Sequence, residues 1–100
     1  MAHFLPLGSV VRLKGAERRV MICGRLQQDA ATDMLYDYSA CLYPMGFLGA
    51  DQMILFNAGD IEEVTFIGSQ DEEELKFRKY MEDQVEKFIQ EAGDSSESND

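Results

Sequence analysis

Tryptophan is absent from this chain, histidine occurs once, at His3, and cysteine twice, at Cys23 and Cys41. A structural zinc site is closed by four ligands, most of them cysteine or histidine. Three such residues fall short, so no metal and no cofactor is expected. The two cysteines form no CxxC pair, and outside a disulfide-forming compartment they read as reduced and buried. A cysteine nucleophile needs a base or a nearby cation. His3 is remote in sequence, and no Lys or Arg stands between Arg25 and Lys76, so Cys41 reads as strand packing. P-loop, GxGxxG, HExxH and GxSxG motifs are all missing.

Long apolar runs are missing too, and nothing approaches the roughly 20 residues of a membrane span. The opening MAHFLPLGSVVRLKG has no basic start, long apolar centre or small-residue cleavage site, and reads as mature sequence. Catalysis by paired carboxylates is the remaining option, with Asp37, Asp51 and Asp60 in or beside the strand region. A chain this short has little room for a substrate cleft, so these acids are expected to cap loops. No catalytic residue is assigned and the chain reads as a non-enzyme.

Carboxylates are what the chain has in excess: 19 acids against 9 Lys and Arg, for a net charge of −10. That charge disfavours nucleic acid and anionic membrane surfaces as partners. Its distribution is uneven. Residues 1–28 carry Arg12, Lys14, Arg18, Arg19 and Arg25 against Glu17 alone, whereas residues 71–100 are strongly acidic.

One domain is expected over residues 1–92, with strands within 5–68 and a helix over about 70–92. Residues 93–100 read as a disordered acidic tail. GSVVRLKG alternates Val11 and Leu13 with Arg12 and Lys14, as a half-buried strand does. After a turn at Gly15-Ala16, RRVMICGRLQ supplies the second arm of a hairpin, with a bulge at Gly24. In MLYDYSACLY, residues Tyr36, Tyr38, Ala40 and Leu42 share one side. QMILF and IEEVTFIG are the last two strands, joined by NAGD with Gly59 available for positive φ. The fold class is α+β: a small, strongly bent antiparallel sheet, or an SH3-like partial barrel, of about five strands, followed by one amphipathic helix.

Ser69 and Glu72 suggest a capping box, acids crowd the first turn, and Gly93 suggests a stop. Phe77, Met81, Val85, Phe88 and Ala92 form a stripe at helical spacing, widened by Leu75 and Ile89. The stripe is expected to pack on the sheet. It also suits a homodimer formed through the C-terminal helix.

The stretch YDYSACLYPMGFLGADQMILFN (36–57) concentrates aromatic and apolar side chains with almost no charge. Such residues bury much area at little entropic cost and are over-used at protein interfaces. Tyr36, Tyr38, Tyr43, Pro44, Met45, Phe47 and Leu48 are the candidate protein-binding surface. An apolar loop at 43–51 is either a plug over the end of a barrel or an exposed patch.

Five segments in order over residues 5–77 carry a family resemblance: LPLGSVVRLKG, RRVMICGRLQ, YDYSACLYPMG, LFNAGDIEEVTFIG and the DEEE of the helix start. The chain resembles a small domain-of-unknown-function family encoded in type VII secretion loci of Gram-positive bacteria, beside LXG-type toxins and WXG-type helical partners. The resemblance implies a cytoplasmic adaptor or chaperone that binds an LXG-type toxin, or its WXG-like helical partners, before export. The alternative is an immunity protein that neutralises a cognate toxin domain, since an acidic antagonist suits a basic toxin. Met45 departs from the pattern: the family has an acidic residue in YPEG, and this chain has YPMG.

Overall fold

In the computed structural model, backbone is described for residues 4–98 and side chains for residues 4–90. His3 lies outside the described residues. Five strands, β1 (Val10–Leu13), β2 (Arg19–Gln28), β3 (Leu35–Leu42), β4 (Ile54–Phe56) and β5 (Ile61–Phe66), precede one helix, α1 (Glu72–Ser98). All pairings are antiparallel and the order is β4-β3-β2-β1-β5. A barrel would require β4 to pair with β5. They are the two edges, so the expected five-stranded antiparallel sheet is present and is not closed into a barrel.

Alternation decides which side chains the sheet turns toward α1. Val11, Val20, Ile22, Tyr38, Ala40 and Phe56 form that core with Phe4 and Met81. The opposite face carries a cross-strand row in which Val10 lies beside Phe66 on β5 and Met21 on β2, and Met21 beside Cys41 on β3. The bulge expected at Gly24 is present: pairing jumps from Ile22↔Ala40 to Gly24↔Ser39 and leaves Cys23 over.

Turn chemistry is only partly as expected. Gly15 takes φ 77 in the first hairpin. NAGD instead forms a single 3-10 turn at Ala58–Asp60, and Gly59 is not in the left-handed region. Polar side chains of this segment secure it: Asn57 Oδ1 accepts the Asp37 N–H, Asp37 Oδ2 accepts the Ala58 N–H, and Asp60 Oδ2 accepts the Asn57 N–H. Asp37 and Asp60 thus converge as ligands of backbone N–H groups.

The helix cap is Asp71, whose Oδ1 accepts the Glu74 N–H at 2.9 Å; Ser69 and Glu72 do not cap it. The helix continues past Gly93, since one interior glycine costs only about 1 kcal/mol relative to alanine. Six residues of the expected 93–100 tail are therefore helical, and Asn99 and Asp100 lie outside the described residues.

Segment 4–9 is tied to the central strand β2 and to the segment that follows β5. Gly8 N–H donates to Ile22 O, and Ile22 N–H donates to Ser9 O, both at 2.8 Å. The buried Ser9 hydroxyl donates to Pro6 O and accepts the Gly68 N–H. At Gly68 a Cβ would stand 2.0 Å from the backbone oxygen of Leu7. Gly68→Ala must separate these two segments, and a loss of about 1–3 kcal/mol or more is expected in urea unfolding. A wild-type midpoint in that variant would refute the close approach.

Candidate protein-binding surface

The uncharged stretch divides at the end of β3. Tyr38 is 1% exposed and belongs to the core, not to a surface. Its hydroxyl accepts the Leu5 N–H at 2.9 Å, and its ring lies 6.0 Å from that of Phe4 and 5.3 Å from that of Phe56. Burial raises the Tyr38 pKa above the ordinary tyrosine value, against a smaller opposing effect of the Leu5 hydrogen bond. Tyr36, on the same side of β3, is half-buried.

Beyond Leu42 the chain turns outward. Tyr43 N–H donates to Arg19 O, and Gly46 N–H donates to Leu42 O. Gly46 (φ 87) and Gly49 (φ 131) occupy conformations that side chains rarely adopt, so the loop depends on both glycines. Met45, Phe47 and Leu48 are 43%, 68% and 56% exposed, so the loop is a projecting patch and not a plug. Pro44 is exposed with them, after a cis peptide bond from Tyr43. The Tyr43 ring faces inward over the sheet, with the Arg19 guanidinium 4.9 Å from its centroid. It closes one end of a shallow hollow of about 280 Å³ on the open face, lined also by Val10, Arg19, Met21, Thr65 and Phe66.

The helix adds a second apolar surface. Of the expected stripe, only Met81 is buried and Val85 packs in part, while Leu75, Phe77, Phe88 and Ile89 stay exposed. A helix of 27 residues is roughly 40 Å long, about twice the roughly 20 Å width of five strands, so the sheet cannot cover its full length. The stripe residue Ala92 falls beyond the described side chains.

Sequence reasoning missed a buried charge cluster beneath the first turns of α1. Arg25 reaches from β2 to Glu74, which also accepts from Arg78, and Arg78 bonds Gln70. Side-chain exposure is 5% for Arg25, 11% for Glu74 and 20% for Arg78. Arg25 also contacts Leu5 O and sits 5.7 Å from the Phe77 ring centroid. The signal in the sequence was an arginine between Gly24 and Leu26, directly after the apolar run Val20–Cys23.

Among the described residues no group of three or more His, Cys, Asp and Glu is placed to hold a metal, and no helix is long and apolar enough to cross a membrane. The molecule is thus a small open-sheet α+β domain with an apolar loop at one end of its third strand. The domain of unknown function DUF4176 matches residues 4–77, which span the whole sheet and the start of α1, and the chain belongs to that family. No curated protein and no solved structure matches it.

Proposed function

We propose that the chain is a non-enzymatic, cytoplasmic accessory protein of type VII secretion. In this reading it is an adaptor or chaperone that binds an LXG-type toxin, or the toxin's WXG-like helical partners, before export. The family resemblance supplies the partner class. The observation that carries the binding role is the projecting loop Tyr43–Leu48, which holds three large apolar side chains in water on an otherwise strongly acidic protein. Contiguous exposed apolar groups with a charged surround are typical of interaction sites. Tyr43 extends the surface onto the open face of the sheet, whereas Tyr36 and Tyr38 lie on the core side of β3 and stand apart from it. The exposed Phe88 and Ile89 of α1 offer a further surface for a partner helix or a second copy of the chain.

The test is to mix the purified chain with separate fragments of an LXG-type toxin from its own locus. Binding to the N-terminal helical fragment is expected. Binding to the C-terminal toxic domain instead, with protection of cells expressing it, would replace the adaptor by the immunity reading. Sedimentation of the chain alone should give a monomer at micromolar concentration if the helix is reserved for the partner. A stable dimer lost in Phe88→Glu would assign the helix to self-association.

A further inference from the structure

Cys23 and Cys41 sit on neighbouring strands of the face that α1 does not cover. Cys41 is directly opposite Met21, and Cys23 follows Met21 by two positions on the same side. In a regular ladder these cysteines would be diagonal neighbours with Cβ atoms about 7 Å apart, too far for a disulfide. The bulge changes this. Cys23 is the unpaired extra residue, and bulges re-aim the side chains they carry. The two Sγ atoms lie 3.2 Å apart as free thiols, Cys23 donating to Cys41. Each sulfur also lies within hydrogen-bonding distance of Met21 O, at 3.4 and 3.8 Å.

Packing accounts for one of these residues and not for the other. Cys41 is 2% exposed, as an ordinary core cysteine would be, whereas Cys23 is open to solvent. The expectation of two buried thiols is therefore corrected for Cys23. An exposed thiol in contact with a buried one is the arrangement of an attacking and a resolving cysteine.

We propose that Cys23 and Cys41 are a redox-active pair that a low-molecular-weight disulfide oxidises to an intramolecular disulfide. The Cys23 thiolate attacks one sulfur of R–S–S–R, forming Cys23–S–S–R and releasing RS⁻. The Cys41 thiolate then attacks Cys23 Sγ, forming the Cys23–Cys41 bond and releasing the second RS⁻. The two protein thiols lose two electrons and two protons, and the oxidant becomes two RSH. Closing the bond moves the sulfurs together by roughly 1 Å, to about 2.05 Å. Burial and the hydrogen bond with Cys23 hold the Cys41 thiol above its ordinary pKa, which favours the order exposed thiol first, buried thiol second. The bond would close the loop between β2 and β3 at the root of the segment that leads to Tyr43. This chemistry is independent of the partner proposed above.

The full chain is incubated in graded mixtures of reduced and oxidised glutathione, quenched with acid and weighed intact. The expected product has lost two hydrogens and carries no glutathione, and dithiothreitol reverses it. Cys41→Ser should stop at a glutathione adduct on Cys23. Cys23→Ser should stay largely unmodified. The oxidised chain should melt about 10 °C or more above the reduced one, as closing a loop of this length predicts. Wild type that stops at the Cys23 adduct, forms intermolecular dimers or does not react in oxidised glutathione would overturn the proposal. Phenylarsine oxide, which bridges paired thiols, supplies a readout on wild type alone: one equivalent should block both thiols, and blockage of neither would count against the pair.

Discussion

Glu74→Gln is expected to lower the thermal midpoint by roughly 12 °C or more. The substitution leaves Arg25 and Arg78 without their shared carboxylate in a site where Arg25 is 5% exposed. Removing one partner of a buried ion pair costs about 3–5 kcal/mol, because the remaining charge stays desolvated. The lower end of that range applies here, since Arg78 can still reach water. Each kcal/mol moves the midpoint of a domain this size by about 4–8 °C. Two controls separate this from a general sensitivity of the helix. Glu72 and Lys76 form a pair that is 83% and 76% exposed, and Lys76→Gln should cost only a few tenths of a kcal/mol. The double variant Arg25→Met with Glu74→Leu should melt above Glu74→Gln, because it exchanges buried charge for packing. Equal midpoints for wild type and Glu74→Gln would show that the cluster is solvated.

Tyr38→Ala should be the most damaging single substitution in the sheet, at about 3–5 kcal/mol. It empties the space between Phe4 and Phe56 and removes the acceptor of the Leu5 N–H. Tyr38→Phe isolates the second effect. It keeps the ring but leaves a part-buried N–H without a partner, for about 1–3 kcal/mol. The pH dependence gives a separate signature. The folded pKa of Tyr38 is raised by burial, so the folded state holds this proton more tightly than the unfolded chain does. Its contribution is complete below the unfolded value near 10.0 and is lost as pH rises through the folded value. Urea titrations from pH 8 to pH 11 should show wild type losing stability at the alkaline end more steeply than Tyr38→Phe. Parallel curves would contradict the assignment of Tyr38 to the core.

Much of the sheet was legible because alternation is a local property. Val11 against Arg12 marked the first strand, and Gly24 marked the bulge. What escaped depends on contacts between distant segments. Nothing local distinguishes Tyr38 from Tyr36, since both lie on the core side of β3. Tyr38 alone is overlaid by Phe4 and bonded to Leu5, more than 30 positions away. Arg25 stood out only as one of five basic residues in 1–28, because its carboxylate partner is 49 positions distant. Ser69 lost the helix cap to Asp71, an equally suitable residue two positions on. The helix stripe read correctly as apolar, but its spacing could not show that only Met81 and part of Val85 would be covered. Apolar loop composition likewise left plug and patch open; the unclosed sheet removes the barrel end that a plug would have filled.

In the proposed function, Tyr43–Leu48 is a docking surface and not part of the core. Its most direct test is titration calorimetry of the double variant Phe47→Ala, Leu48→Ala against the N-terminal helical fragment of an LXG-type toxin, with thermal melts of the same samples. The two side chains touch mainly solvent, so stability should stay within about 0.5 kcal/mol of wild type. Affinity should fall at least roughly tenfold if they are buried in the complex. Undiminished affinity in a folded variant, or a collapse of stability, would contradict the claim.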